Sequence, residues 1–179
     1  MSVESLQNEL VEEFSLFDDW MARYEYMIDL GKSLPLIDPA LKTDDRIIKG
    51  CQSKVWLNAE LKDGKVEFTA DSDAIITKGI IAILIRVFSG QKPEDIANAD
   101  MGFIDEIGLK EHLSPTRANG LVSMIKQLKL YAVLDARMHV ANAAVLPTLV
   151  QLLRKMKNMN ESRTSLILTM QHPARLKKI

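Results

Sequence analysis

This chain is poor in the residues that most often fix a chemistry by themselves. Cys51 is the one cysteine among 179 residues, so no disulfide can close within the chain, and a cysteine-rich metal or cluster site cannot be built from it. The three histidines, His112, His139 and His172, are dispersed and show no recognised ligand spacing. Stable metal binding is not expected. Aromatics make up only 6% of the chain, and none follows Asp135. No apolar run approaches the roughly 18 residues that span a bilayer; the longest, Gly79 to Ile85, is stopped by Arg86. No glycine loop is arranged to cradle phosphate, since Gly50, Gly64 and Gly79 punctuate separate elements. The opening residues carry Glu4, Glu9, Glu12 and Glu13 in place of the basic start of a secretory leader. The expected location is the cytoplasm, where a single reduced thiol is at home.

What is present has the balance of an ordinary globular protein, with 47% hydrophobic and 26% charged residues. A chain of this length can bury roughly 70% of the surface its unfolded form exposes. The net charge of −1 hides an asymmetry: residues 1–135 hold 15 Lys+Arg against 23 Asp+Glu, whereas residues 136–179 hold 8 Lys+Arg against Glu161 alone. The expected organisation is a domain over 1–135 followed by a basic extension over 136–179 of unknown role. Arg154, Lys155 and Lys157 cluster there, with Arg175, Lys177 and Lys178 at the end. Nucleic-acid binding through this extension is one reading. The absence of stacking aromatics and the acidity of the main domain favour the blander one, a solvated basic appendage.

Apolar periodicity predicts two opening helices. Leu6, Leu10, Val11 and Phe14 mark the first; the second starts near Asp18, with Trp20, Tyr24, Met27 and Ile28 on one face and Gly31 as its stop. Pro35 and Pro39 mark an extended connection that should wrap the surface. From Ser53 the period becomes two, with Val55, Leu57, Ala59 and Leu61 facing one way; Asp63-Gly64 supplies a tight turn, and Val66, Phe68 and Ala70 alternate on the return. Any of Asp71, Ser72 and Asp73 can cap a buried helix over Ala74 to Phe88, closed by Ser89-Gly90. Short helical pieces follow. Ser114 with Pro115 opens a last amphipathic helix containing Leu121, Met124, Ile125, Leu128 and Tyr131. Val140 to Met156 reads as another helix or two interrupted at Pro147, and Ser165-Leu168 as either a short strand or a collapsed tail. Helices flanking a small antiparallel sheet make the fold class α+β.

Cys51 sits between Gly50 and the start of the first strand. Buried thiols are common core filling, and taken alone such a cysteine is more often inert than reactive. A thiolate is the attacking species, and an unperturbed thiol holds only about 3% of it at neutral pH. Arg46, Lys49 and Lys54 lie close in sequence and can favour the anion. Gly50 permits a turned backbone and close approach to the sulfur.

The stretch Ile48-Lys49-Gly50-Cys51-Gln52-Ser53-Lys54-Val55-Trp56 resembles the acceptor-cysteine motif of the SufE family of sulfur acceptor proteins. Ser72-Asp73-Ala74 with Lys78-Gly79 and Ile81-Ala82 is similar to the helix after that family's hairpin, and His112 to Arg117 with Gly120-Leu121 and Met124-Ile125 is similar to its late helix. The likeness covers roughly residues 5–134 and leaves the extension without a counterpart. It implies an α+β fold shared with iron–sulfur scaffolds of the IscU type. It implies a sulfur carrier: Cys51 takes persulfide sulfur from a SufS-like cysteine desulfurase, stimulates that enzyme, and passes the sulfur to a SufBCD-like cluster scaffold. Arg117 is then a supporting residue, with Gly50, Gln52 and Ser53 forming the cysteine loop. No cofactor is implied for this chain, because the pyridoxal phosphate belongs to the desulfurase. The chain would activate its partner rather than act as a stand-alone enzyme, with no nucleic-acid or membrane partner and with homodimerisation left open. The competing reading is a cysteine-dependent hydrolase, which needs a base such as a histidine beside the thiol.

Overall fold

The computed structural model describes residues 1–134. The basic extension over 136–179, with the helices and the strand or collapsed tail expected there, and both His139 and His172 lie outside the described residues. Helix α1, Val3–Ser15, places Val3, Leu6, Leu10 and Phe14 on one buried face, and Ser2 caps it by accepting the Ser5 N–H at 3.1 Å. Helix α2, Trp20–Lys32, is capped by Asp19, whose carboxylate accepts the Ala22 N–H at 2.8 Å.

The hairpin forms as the alternation demands. Strand β1, Val55–Lys62, pairs antiparallel with β2, Lys65–Ser72, so that Leu57 opposes Ala70 and Ala59 opposes Phe68. Asp63 and Gly64 both have positive φ, 51° and 78°, which matches the twist of a tight hairpin. Val55, Leu57, Val66, Phe68 and Ala70 are buried. The segment expected to wrap the surface instead lies along β2: the Pro35 carbonyl accepts the Ala70 N–H at 3.0 Å and the Ile37 N–H donates to Ala70 at 3.2 Å. Leu34 and Ile37 are buried as a result, and an otherwise open strand edge is covered.

Helix α3, Ile75–Phe88, is the centre of the core, with Ile80 through Ile85 all buried. Each fully buried aliphatic side chain of this kind contributes about 1.5–3 kcal/mol. It crosses α2 at close quarters. Gly31 was expected to stop α2, but it lies inside the helix, because the crossing requires it there: a Cβ on Gly31 would stand 3.0 Å from the Gly79 nitrogen, and one on Gly79 2.5 Å from the Met27 carbonyl oxygen. The expected cap on α3 does not form either. Ala74 occupies the N-cap position and no side chain caps the helix, because the three polar residues before it are engaged elsewhere. Asp71 pairs with Lys42 and Lys78, Asp73 accepts the Lys54 N–H, and the Ser72 hydroxyl donates to the Lys54 carbonyl.

Short helices α4 (Pro93–Asn98), α5 (Phe103–Glu106) and α6 (Leu109–His112) then lead to α7, described over residues 115–134. Its buried stripe is Leu121, Met124, Leu128 and Ala132. Arg86 of α3 grips the Glu13 carboxylate of α1 through two 2.6 Å hydrogen bonds, and the Tyr26 hydroxyl of α2 donates to the same carboxylate. The Arg86 bonds, foremost, hold the Glu13 carboxyl below the usual carboxylate range.

Candidate functional site

Residues 49–53 form a short arc fastened at both ends. On one side the Ile48 N–H donates to the Val55 carbonyl at 2.8 Å; on the other the Lys54 N–H donates to Asp73 at 2.9 Å and the Ser72 hydroxyl to the Lys54 carbonyl at 2.9 Å. Between these anchors Gly50 has φ of 92°, and a Cβ there would meet the Ser123 hydroxyl oxygen of α7 at 2.6 Å. Glycine is needed twice over, for its backbone angle and for its lack of a side chain. The thiol of Cys51 donates to the Gly120 carbonyl of α7 at 3.6 Å. Gly120 is bare where the sulfur arrives, since a Cβ would stand 3.4 Å from Cys51 Sγ.

Beside the sulfur is a pocket of about 240 Å³. Cys51, Gln52 and Ser53 line it from the arc, Thr77 and Ile80 from α3, and Thr116, Arg117, Gly120 and Met124 from α7. The fold thus brings Cys51 and Arg117 to one cavity although 65 residues separate them in sequence. Gln52 and Ser53 are also at the wall, while Gly50 shapes the arc from outside it. Thr77 is the third residue of α3, and Thr116 and Arg117 are the second and third of α7. Two helix starts therefore converge on the cavity, and each presents the positive end of its dipole. The chemistry such a cavity favours is the holding of a small anion beside a thiol.

In the arrangement seen, burial pushes the Cys51 thiol up. The expectation that Arg46, Lys49 and Lys54 favour the anion is not met, because desolvation is the acting cause. Arg46 is turned to the side-chain oxygen of Asn58, and Lys54 serves through its main chain. His112 is not at the pocket: its ring stacks on Trp20 at 3.9 Å and its Nδ1 lies 3.0 Å from the Gly108 carbonyl. His112, the one histidine among the described residues, does not line the cavity, so it does not supply there the base that the hydrolase reading needs. Among the same residues no group of three or more His, Cys, Asp or Glu side chains converges to hold a metal, and no helix is long and apolar enough to cross a membrane.

Sequence reasoning missed Thr77, Ile80, Thr116, Gly120 and Met124 as members of the site. A signal existed for the first. In the apolar run from Ile75 to Phe88 the Thr77 hydroxyl is one of very few polar groups, and it is 6% exposed.

An α+β protein that presents a single thiol to a small, partly polar cavity between two helix starts is the class that fold and site define. Residues 8–132 match the SufE family, described as the Fe-S metabolism associated domain, and the chain belongs to that family. An uncharacterised SufE-like protein of Rhizobium meliloti is 39% identical over 127 residues, covering 68% of this chain and 91% of its own length. Another from Rhizobium etli is 37% identical over 127 residues, with 68% and 86% covered, and one from Synechocystis is 36% identical over 124, with 69% and 78% covered. The fold is similar to the solution structure of a hypothetical protein from Thermus thermophilus, with a TM-score of 0.63, 20% identity, and 74% of this chain and 96% of the other covered. Family membership links the chain to iron–sulfur metabolism and its assembly machinery.

Proposed function

We propose that the protein is a sulfur carrier whose Cys51 accepts persulfide sulfur from a SufS-like cysteine desulfurase and passes it to a SufBCD-like assembly scaffold. The observation that carries this reading is the room beside the one thiol, a cavity of about 240 Å³ with polar walls, in a chain whose family belongs to iron–sulfur metabolism. In the transfer, Cys51 thiolate attacks the terminal sulfur of the partner's persulfide. The new bond joins Cys51 Sγ to that sulfur, the partner's S–S bond breaks, and the partner's cysteine leaves as a thiolate. The sulfane sulfur keeps its oxidation state, so no oxidant or reductant is consumed. Handing the sulfur to a scaffold cysteine repeats the same exchange with Cys51 as the leaving group.

Burial of the sulfur protects the unloaded carrier, because a protonated, half-buried thiol is a poor nucleophile toward stray oxidants. For acceptance the arc must release the sulfur from Gly120, and the short stretch between its anchors is the part free to do so. Arg117 sits at the cavity wall with its charge and supports the sulfur anion or the arc. Clearing the product sulfur stimulates the desulfurase. The chain needs no cofactor in this scheme, since pyridoxal phosphate works in the partner, and neither nucleic acid nor a membrane takes part.

The test is intact-mass analysis after incubation with a cysteine desulfurase and free cysteine. The wild type is expected to gain one sulfur atom and the Cys51→Ser variant none. A wild-type chain that remains unmodified while the desulfurase turns over would remove the proposal.

A further inference from the structure

The neutral Cys51 thiol has a proton to give the Gly120 carbonyl; a persulfide anion has none. Its terminal sulfur would meet that carbonyl oxygen as one negative atom meets another, and must turn elsewhere. The cavity is the adjoining space, and what an anion needs there is a donor that water cannot easily replace. Of the polar side chains at the wall, Gln52, Thr116 and Arg117 are exposed and Ser53 partly so, all within reach of solvent. Thr77 differs. It is 6% exposed as a residue, it lines the cavity, and among the described residues no hydrogen bond ties its hydroxyl to another protein group, while that oxygen is not sealed off and retains accessible surface. A hydroxyl open to a cavity in this way is free to donate to whatever occupies it. Thr77 also stands on the first turn of a 14-residue helix that no side chain caps, where the dipole favours negative charge.

We propose that Thr77 is a positioning residue for the persulfide: its hydroxyl donates to the terminal sulfur of Cys51–S–S⁻ and holds that atom inside the cavity. The inference rests on the sulfur-carrier reading and names the group that retains the cargo after transfer. The donor is a hydroxyl, so no proton need move and no bond forms or breaks in the holding step. Exposed Arg117 acts at the mouth, whereas Thr77 acts at the inner wall.

The test separates this inference from the reading beneath it by loading the protein without any desulfurase. Cysteine hydropersulfide donates its outer sulfur to Cys51 and leaves as cysteine thiolate, and loading is followed by intact mass. Persulfidated wild type, Thr77→Val and Thr77→Ser are then compared for the lifetime of the added sulfur and for the pH profile of its alkylation by iodoacetamide. Thr77→Val is expected to lose the sulfur about tenfold faster, the factor that one hydrogen bond to a charged atom supplies, and to shift the alkylation midpoint to higher pH. Thr77→Ser, which keeps the hydroxyl, is expected to restore both. Thermal unfolding of unloaded Thr77→Val should match the wild type, since valine fills nearly the same volume, which distinguishes a lost donor from a damaged fold. Equal lifetimes and equal midpoints in wild type and Thr77→Val would overturn the role of Thr77 and leave the carrier function standing. Failure of the desulfurase to load wild-type Cys51 would remove the carrier function instead.

Discussion

Replacing Gly50 by alanine should pull Cys51 off its perch on α7, and the size of the effect follows from two contacts. A side chain at φ of 92° strains the backbone by about 1–2 kcal/mol. The added Cβ would also lie 2.6 Å from the Ser123 hydroxyl oxygen, whose hydroxyl now donates to the Asn119 carbonyl at 3.1 Å. Moving it aside costs about 1 kcal/mol more for the lost hydrogen bond. Together these raise the ratio of open to closed arc by roughly 30-fold or more. Since Cys51 is the one thiol in the chain, iodoacetamide alkylation read by mass reports this ratio at a single site. The wild type should react more slowly than a free thiol and with a midpoint above that of free cysteine, because burial pushes Cys51 up. The sign for stability follows. A folded-state thiol raised above its unfolded value contributes stability at neutral pH that is lost as pH rises through the folded midpoint. Gly50→Ala should react at least about tenfold faster at pH 7, with a midpoint moved back toward that of free cysteine. Global unfolding should change little, because the arc lies outside the core. A double change, Gly50→Ala with Ser123→Gly, removes the overlap but not the strain and should fall between the two. If alkylation of Gly50→Ala matched the wild type in rate and midpoint, the account of why the sulfur rests on Gly120 would be wrong.

Three further outcomes are expected. Gly79→Ala drives a Cβ to 2.5 Å from the Met27 carbonyl oxygen, and chemical denaturation should show a loss of about 3 kcal/mol or more as α2 and α3 are forced apart; a loss below about 1 kcal/mol would mean the crossing is looser than described. Burial pushes the Asp71 carboxyl upward, but hydrogen bonds from Lys42 and Lys78 outweigh it and hold it at about 2 against an ordinary 3.8. Asp71→Asn should therefore cost about 2 kcal/mol at neutral pH. This stabilisation is present above the unfolded value and fades as pH falls through about 2, so urea midpoints of variant and wild type should converge there and nowhere higher. Arg117→Ala, at an exposed position, should shift unfolding by less than about 0.5 kcal/mol yet slow sulfur loading by a desulfurase about tenfold; unchanged loading kinetics would take Arg117 out of the site.

The hairpin was legible because two independent signals agreed, the alternation from Val55 and the Asp63-Gly64 turn. Helix α3 was legible from its apolar run, and α7 from Ser114-Pro115. What misled were residues with two uses. Gly31 reads locally as a helix stop, and only the partner glycine 48 positions later, brought against it by the crossing of α2 and α3, shows that it is an interior contact. Asp71, Ser72 and Asp73 read as caps, yet each is drawn to Lys42, Lys54 or Lys78 by contacts that the hairpin creates. At the site, the motif around Cys51 and the late-helix arginine were found by resemblance, and the fold does bring them to one cavity. The neighbouring cations of the arc were close in sequence but not in effect, since proximity along a chain does not fix where a long side chain turns. Thr77 was visible only as an odd hydroxyl in a greasy helix until the pocket gave it a surrounding.

The fastening of the arc also limits travel. Cys51 is three residues from each anchor, Ile48 and Lys54, and three extended residues span only about 10 Å. Unless an anchor breaks, this is no long swinging arm that ferries cargo between distant docks. If the protein is the sulfur carrier proposed above, giver and taker would come in turn to one doorway at the start of α7, and two visitors of protein size competing for so small an opening would exclude each other. Sulfur would then move by a change of guests, with the host standing still.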